Sequence, residues 1–238
     1  MKYDLIILII SSDNLDVYKT MKQISQQYLT LFNDKIKFFY LECQNQQCDV
    51  YEIDDTLYFN GEEALIPTIY NKTIKGLEYI NQFEYDFVMR TNLSSFLNVY
   101  NILNFINLLP KNNFAGGYLC FNAFISGTGI FMSKDVATIL INNINDTHIH
   151  DDVLISRILQ YNNIKLTDMD AYNYNIVYLI NDTFDENIKI NDNILYYRIR
   201  NDANRNVDLL YFNLLLKKIY ILNSPKTFIE FNTSQCSL

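Results

Sequence analysis

Three of the five arginines in this 238-residue chain lie close together, at Arg198, Arg200 and Arg205. A guanidinium group presents N–H donors in a planar fork that matches the oxygen atoms of a phosphate. The chain as a whole is acidic, with a net charge of -8, which disfavours non-specific binding to nucleic acid. The arginine cluster therefore predicts a local site for an anionic ligand, and we expect no nucleic-acid partner.

Glycine is also concentrated, with four of the six glycines between Gly116 and Gly129. The only G-x-G sequence is Gly127-Thr128-Gly129, and no third glycine follows at the spacing of a dinucleotide-binding loop. Glycine permits close approach of the backbone to a ligand, although it also permits tight packing or a bulge between strands. In a chain this poor in glycine, we favour a ligand beside the segment from Ser126 to Gly129.

Two adjacent carboxylates, Asp151 and Asp152, follow His150 at the predicted start of a helix. Aspartate at a helix start commonly caps free backbone N–H groups and interacts favourably with the helix dipole. A positioned carboxylate can also accept a proton from a reacting group, so the residues alone leave both roles open. A Ser-His-Asp triad is nearly excluded, because the only histidines are His148 and His150 and no G-x-S-x-G sequence occurs.

Strands and helices alternate through the first two-thirds of the chain. Continuous apolar runs predict buried strands, and apolar residues at helical spacing predict helices. The predicted strands are Leu5–Ile10, Ile36–Leu41, Thr56–Phe59, Tyr85–Arg90, Phe114–Cys120, Phe124–Met132 and Ile194–Arg200. The predicted helices are Val17–Leu31, Ile66–Phe83, Asn98–Leu109, Ser133–Asn145, Asp151–Tyr161 and Val207–Ile221.

This alternation predicts an α/β fold with a largely parallel sheet, in which ligands bind at the carboxyl ends of the strands. The polar stretch Asp168–Asn193 is predicted to be an irregular loop or lid. No long linker or repeat divides the chain, so we expect a single domain over residues 1–238.

The apolar run near the N-terminus is too short for a signal peptide, and no stretch reaches the ~20 apolar residues that a membrane-spanning helix needs. We therefore expect a cytoplasmic protein without a transmembrane segment. The four cysteines include no C-x-x-C pair, so free thiols are expected rather than a zinc site. A bond between Cys43 and Cys48 is the less favoured alternative, and the oligomeric state stays open.

Five polar or glycine-containing segments occur in a characteristic order. They are Asn71-Lys72-Thr73, the strand Tyr85–Arg90 with Asn92-Leu93-Ser94 after it, Ala115-Gly116-Gly117, the run from Ser126 to Ala137, and His150-Asp151-Asp152-Val153. This order resembles the GT-A-fold glycosyltransferases of the β-1,3-galactosyltransferase and Fringe-like group. Members of that group carry an N-L-T-x-K-T helix, a D-D-D-x-F metal motif after a strand, a glycine pair, an S-G-x-G-Y-x-x-S-x-[DE] segment and an E-D-V motif. The resemblance covers roughly residues 51–160.

The resemblance implies a GT-A-type, Rossmann-like mixed sheet flanked by helices. It implies a nucleotide-binding half over residues 1–96, and an acceptor half with a C-terminal segment over residues 97–238. The implied activity is inverting transfer of a sugar from a nucleotide-sugar donor, expected to be a UDP-sugar, to a hydroxyl of a glycan or other acceptor.

The resemblance also implies roles for individual residues. Asp152 would be the general base, and Asp151 would raise its pKa or orient the acceptor. The residues implied to bind the donor are Ser11, Ser12, Lys72, Arg90, Asn92, Ser94, Arg198 and Arg200. Those implied to border the sugar and acceptor are Ser126, Gly127, Thr128, Gly129 and His150. The alternatives are a turn for Ser11 and Ser12, a solvated side chain for Lys72 and a structural ion pair for Arg90.

One departure from the family concerns the metal. Asn92-Leu93-Ser94 stands where the family has its acidic triplet, and a divalent ion that bridges a diphosphate prefers anionic oxygen ligands. We therefore expect no metal ligands and no required cofactor, with Mn²⁺ or Mg²⁺ disfavoured and arginines neutralising the diphosphate. The alternative is a catalytically degenerate domain that binds nucleotide or glycan without turnover. A nucleotidyltransferase is a weaker reading, because it needs paired carboxylates at a strand end.

Overall fold

The computed structural model describes residues 1–143, 149–180 and 183–221. Its strands are β1 (Lys2–Ile10), β2 (Ile36–Gln44), β3 (Val50–Ile53), β4 (Thr56–Asn60), β5 (Glu84–Asn92), β6 (Ser95–Leu97), β7 (Ala115–Cys120), β8 (Phe124–Ser133), β9 (Leu166–Asp168), β10 (Asn175–Leu179) and β11 (Ile194–Ile199). Its α-helices are α1 (Asp16–Leu29), α2 (Thr68–Ile80), α3 (Val99–Ile106), α4 (Lys134–Asn142), α5 (Asp151–Tyr161) and α6 (Arg205–Leu215). Short 3₁₀ helices span Thr30–Phe32 and Met169–Tyr172, and a π-helix spans Leu216–Ile221.

Within the described residues, eight strands form one mixed sheet in the order β3-β4-β2-β1-β5-β8-β7-β9. β1 lies near its centre and pairs in parallel with β2 and β5, whereas β8 pairs antiparallel with β5 and β7. Helices flank the sheet within one domain. The predicted α/β fold, a Rossmann-like mixed sheet with helices around it, is confirmed.

The apolar run in β1 is continuous because both faces of the sheet are covered. Leu5, Ile7 and Ile9 belong to one buried cluster, which includes residues of α1, α3 and α6. Ile6, Leu8 and Ile10 belong to the other cluster, with residues of α2, α4 and α5. The alternation follows from the two-residue period of a strand, and it fixes β1 between the two helical layers.

A second sheet of three strands, in the order β10-β11-β6, lies within the described part of the chain. β10 falls inside the stretch 168–193, so the prediction of an irregular loop there is wrong for residues 175–179. β10 pairs in parallel with β11, and β11 pairs antiparallel with β6. Only Ile176 of β10 is buried, so the strand is held by its pairing and carries little apolar pattern of its own.

Among the residues that the structure describes, no helix combines the length and the apolar content needed to cross a membrane. Cys43, Cys48 and Cys120 are free thiols, so the alternative of a Cys43–Cys48 bond is wrong. His148 lies outside the described residues.

Candidate functional site

A cavity of about 740 Å³ opens where β1 and β5 end side by side. It is lined by every residue predicted for the site except Gly129: Ser11, Ser12, Lys72, Arg90, Asn92, Ser94, Ser126, Gly127, Thr128, His150, Asp151, Asp152, Arg198 and Arg200. Sheet register explains much of this convergence. Ile10 of β1 pairs with Asn92 of β5, and Thr91 of β5 pairs with Gly129 of β8. Because β8 is antiparallel to β5, the residues just before Gly129 extend past the end of β5 and form a wall of the cavity.

Arg90 is buried beneath the cavity, with a residue exposure of 1%. Its Nη2 lies 2.5 Å from Oδ2 of Asp151, its Nη1 donates to Oδ1 of Asn92 at 3.1 Å, and Nη1 also donates to the carbonyl of Gly127. The guanidinium charge is therefore balanced by the Asp151 carboxylate. Arg90 and Asp151 were predicted to bind the donor and to assist the base, respectively. Both line the cavity, and their contacts form an ion pair that joins β5 to α5, which is the alternative stated for Arg90.

Asp152 occupies the first turn of α5 and lines the same cavity. Its Oδ2 accepts a hydrogen bond from the backbone N–H of Gly127 at 3.1 Å, and its Oδ1 accepts one from the N–H of Val153 at 2.9 Å. Within the described residues it has no ion-pair partner. Each carboxylate oxygen can accept a further hydrogen bond, so the partial capping role leaves Asp152 able to accept a proton.

The two glycines of the G-x-G segment differ in their surroundings. A Cβ added at Gly127 would lie 2.7 Å from Nη1 of Arg90 and 3.3 Å from Cβ of Asp152. A Cβ added at Gly129 would lie 2.7 Å from ring atoms of Tyr196. Gly129 does not line the cavity, so the packing interpretation describes it better than a contact with sugar or acceptor.

The side chains of Ser126 and Thr128 line the cavity wall formed by β8. Ser126 Oγ and Thr128 Oγ1 are 3.0 Å apart, and Thr128 Oγ1 lies 3.2 Å from the phenol oxygen of Tyr196. Burial raises the pKa of Tyr196 well above its usual value, which keeps the phenol neutral. The wall thus presents neutral hydroxyl groups.

Lys72 is buried, although it was predicted to contact the donor. Its Nζ donates to the carbonyl of Ser11 at 2.8 Å and to Oε1 and Oε2 of Glu63 at 2.9 and 2.8 Å. Glu63 Oε1 also accepts from the N–H of Cys43 at 2.7 Å. The ammonium group therefore ties the segment before α2 to the end of β1, and its charge is balanced.

Ser11 and Ser12 directly follow β1, at the strand end where they were predicted to lie. Each forms a hydrogen bond within the protein. Ser11 Oγ donates to Oε1 of Glu42 at 2.8 Å. Ser12 Oγ accepts from the N–H of Asn14 at 3.2 Å, which is the turn-forming alternative for that residue. Both residues still line the cavity, and Ser12 also borders a second cavity of about 360 Å³.

The three clustered arginines have different partners. Arg205 pairs with Asp208 at 2.9 Å, and the exposed Arg200 pairs with Asp202 at 2.7 Å. Arg198 is partly buried and donates from Nη1 to Oγ of Ser94, and it has no carboxylate partner in the described ranges. Burial lowers the pKa of Arg198 to about 10, with smaller contributions from the positive charges of the neighbouring arginines.

The residues in place of the family's acidic triplet do not fit a divalent ion. Leu93 is buried, Asn92 Oδ1 accepts from Arg90, and Ser94 Oγ accepts from Arg198. Across residues 1–143, 149–180 and 183–221, no group of three histidine, cysteine, aspartate or glutamate side chains is arranged to hold a metal.

Sequence reasoning did not identify ten further residues of the cavity wall: Ile10, Asn14, Tyr18, Glu63, Ala64, Leu65, Ile69, Leu93, Phe124 and Val153. Val153 and Phe124 adjoin predicted motifs and could have been included on that ground. No sequence pattern around Glu63 indicated its place in the cavity, because its partner Lys72 lies in the following helix. Tyr18 faces a guanidinium, with Arg205 Cζ 5.4 Å from its ring centroid, and only the fold brings these two residues together.

The charges around the cavity fall into two groups. Lys72 and Arg90 are each paired with a carboxylate, whereas Arg198 and Asp152 have no ion-pair partner among the described residues. Arg200 also lines the cavity but pairs with Asp202, so Arg198 and Asp152 are the cation and the carboxylate that the cavity offers without an ion pair in the described part of the chain. No known protein-family model matches the chain, and no curated protein sequence gives a match.

Proposed function

We propose that the chain is an inverting glycosyltransferase, which moves a sugar from a nucleotide-sugar donor, expected to be a UDP-sugar, to a hydroxyl of a glycan or other acceptor. The observation that carries the proposal is the presence in one cavity of Arg198 and Asp152, each without an ion-pair partner in the described part of the chain. Such a reaction needs a cation for the departing diphosphate and a carboxylate for the acceptor proton. The family resemblance stated above supports the same assignment.

Arg198 is the residue best suited to bind the diphosphate. A charged group removed from water without a counter-charge is unfavourable, and a bound diphosphate would supply that counter-charge. The guanidinium can donate two parallel hydrogen bonds to phosphate oxygens. Arg200 lines the same cavity at a more exposed position, so it adds a second positive charge near the mouth.

Asp152 is the proposed general base. It takes the proton of the acceptor hydroxyl as that oxygen forms a bond to the anomeric carbon of the donor sugar. The bond between the anomeric carbon and the diphosphate oxygen breaks, and its electron pair remains on the diphosphate, where Arg198 stabilises the negative charge. Attack from the side opposite the leaving group inverts the anomeric configuration.

The cavity wall formed by β8 suits a sugar. Ser126 and Thr128 contribute hydroxyl groups, and Gly127 contributes backbone without a side chain. Sugar hydroxyls can exchange hydrogen bonds with such groups without leaving a buried charge unpaired. His150 lines the cavity directly before the base, on the side proposed for the acceptor.

The test is release of free nucleotide from a panel of UDP-, GDP- and dTDP-sugars, measured with candidate acceptors for the wild type and for Asp152→Asn. We expect Asp152→Asn to lower the turnover rate by about 100-fold or more, since general acid–base catalysis contributes roughly 10²–10⁴-fold. Donor affinity, measured by thermal shift, should change little.

Asp135→Asn is the matched control. Asp135 occupies the same position in the first turn of α4 that Asp152 occupies in α5, and it also accepts a backbone N–H, from Asn113 at 2.8 Å. It lies outside the cavity wall. Full activity in Asp152→Asn, or an equal loss in both variants, would contradict the assignment of the base.

The alternative is a domain that binds nucleotide or glycan without turnover. It is favoured by one observation: Asn92 and Ser94, in place of the acidic triplet, accept hydrogen bonds from Arg90 and Arg198. Saturable thermal stabilisation by a nucleotide-sugar, without release of nucleotide in the presence of any acceptor, would favour this alternative over the transferase.

A further inference from the structure

We propose that Arg90 is a positioning residue, which holds the Asp152 carboxylate in place through the backbone of Gly127. The inference rests on the proposed function for the role of Asp152, but the contacts themselves do not depend on it. It replaces the expectation that Arg90 binds the donor.

The contacts form a continuous chain across three elements. Arg90 of β5 donates from Nη1 to the carbonyl of Gly127 in β8, and the N–H of Gly127 donates to Oδ2 of Asp152 in α5 at 3.1 Å. The second nitrogen, Nη2, lies 2.5 Å from the neighbouring Asp151. Arg90 thus fixes the strand segment that binds Asp152 and also the first residue of the helix that carries it.

Gly127 stands at the centre of this arrangement, where a side chain would displace the Arg90 guanidinium. A Cβ there would lie 2.7 Å from Nη1 of Arg90, closer than non-bonded atoms approach. Backbone without a side chain lets the guanidinium reach the carbonyl while the N–H on the same residue reaches Asp152. The glycine therefore serves the approach of a side chain of the protein, Arg90, in addition to any ligand.

Other contacts hold the surrounding elements in place independently of Arg90. The N–H of Ile125 donates to Oγ of Ser156 at 3.0 Å, which joins β8 to α5 one helical turn beyond Asp152. Thr91 Oγ1 donates to the carbonyl of Thr128 at 2.6 Å, which joins β5 to β8. Loss of Arg90 should therefore change the local placement of Gly127 and Asp152 while the three elements stay packed.

The ion pair also explains why Arg90 is unsuited to binding the donor. Its charge is balanced by Asp151, and its side chain is 1% exposed. A phosphate would have to compete with a carboxylate at 2.5 Å. Replacement of Arg90 should accordingly lower the rate of the chemical step and leave donor affinity unchanged, whereas replacement of Arg198 should weaken donor binding.

A spectroscopic test can follow the Gly127 amide without any turnover. Ser126-Gly127 is the only Ser-Gly sequence in the chain, so protein labelled with ¹³C-carbonyl serine and ¹⁵N-glycine gives a single amide signal with carbonyl coupling. Asp152→Ala, which removes the side-chain acceptor, calibrates the signal of the disrupted contact. We expect Arg90→Gln to move the Gly127 signal towards that position and to speed its hydrogen exchange.

Arg90→Gln alone leaves Asp151 buried without a counter-charge and risks unfolding. The double variant Arg90→Gln with Asp151→Asn removes both charges and keeps the test valid. Arg157→Gln is the matched control, since Arg157 is an exposed arginine of α5. In the double variant we expect a displaced Gly127 signal, turnover lowered by about 10- to 100-fold and donor affinity within about twofold of the wild type.

A Gly127 signal and a turnover rate equal to those of Arg157→Gln would overturn the proposal. A loss of donor affinity comparable to that of Arg198→Met would also overturn it, because Arg90 would then bind the donor. If the wild type releases no nucleotide, the proposed transferase activity fails. The displaced Gly127 signal would still establish that Arg90 positions Asp152.

Discussion

Replacing Arg198 by methionine should stabilise the ligand-free protein and abolish its response to nucleotide. Methionine keeps an unbranched side chain of similar length and removes the charge. The guanidinium is partly buried, and within the described residues its side-chain hydrogen bond goes to the neutral hydroxyl of Ser94, so the folded protein bears an unfavourable charge at neutral pH. A site evolved to bind an anion commonly has this cost, since function and stability make opposite demands on it.

The magnitude follows from the pKa of Arg198, which falls from 12.5 to about 10 on folding. Each pKa unit corresponds to about 1.4 kcal/mol, so the charged form is disfavoured by at most about 3.4 kcal/mol, which solvent screening at this partly exposed position reduces to about 3 kcal/mol. A lowered pKa means that the unfolded chain holds the proton more tightly, and this penalty is present in full at neutral pH. Loss of the Ser94 hydrogen bond offsets about 1 kcal/mol. The remaining ~2 kcal/mol corresponds to an increase in Tm of about 4–8 °C for a chain of this size.

The assay is thermal unfolding with and without a nucleotide-sugar, for which a ligand at 100 times its Kd stabilises the folded state by about 2.7 kcal/mol. Arg200→Met is the matched control, because Arg200 loses the same charge at an exposed position beside Asp202. It should leave the Tm of the ligand-free protein nearly unchanged. A lower Tm in Arg198→Met, together with a retained response to nucleotide, would refute the reasoning.

Three further outcomes follow from the contacts around the cavity. Gly129→Ala should lower the free energy of unfolding by about 1–3 kcal/mol, because the added Cβ meets the ring of Tyr196 and overpacking has costs in that range. Thermal shift should show unchanged nucleotide affinity, and weakened binding would indicate that Gly129 contacts the ligand. Lys72→Met should destabilise the protein by about 3 kcal/mol or more, because Glu63 loses its counter-charge, whereas chemical denaturation of Lys72→Met with Glu63→Leu should show that most of the loss is recovered. EDTA should leave the thermal response to nucleotide intact, and a strict requirement for Mn²⁺ would contradict neutralisation of the diphosphate by arginine.

Local patterns were sufficient to predict most of the fold. The run of six apolar residues in β1 indicated a strand covered on both faces, and α5 begins at Asp151, as its sequence predicts. These features depend on neighbouring residues, so a single sequence contains their signal. β10 could not be predicted in this way, because it is held mainly by pairing with β11, and such pairing is a property of the folded chain.

Many of the residues that line the cavity could be predicted from the sequence, but their hydrogen-bond and ion-pair partners could not. Residues at strand ends converge because parallel strands end at one edge of the sheet. The partner of Arg90, however, is Asp151, which lies 61 positions further along the chain. Both residues were candidates for binding or catalysis, and although an ion pair was the alternative for Arg90, no local pattern identified Asp151 as its partner. Only the folded arrangement shows which candidate charges are already satisfied.

The difference between paired and unpaired charges separates candidate residues that stabilise the cavity from those that can bind a ligand. A buried charge with a counter-charge stabilises the walls of the cavity, as Lys72 and Arg90 do with Glu63 and Asp151. A buried charge without one raises the free energy of the ligand-free protein, and a bound ligand of opposite charge would offset that cost. Arg198 meets this description, and Asp152 completes the pair as the carboxylate without a cation. The chemistry of the site should therefore reside in Arg198 and Asp152, which have no ion-pair partner across the described ranges, and the paired Arg90 and Lys72 should determine how well those two are placed.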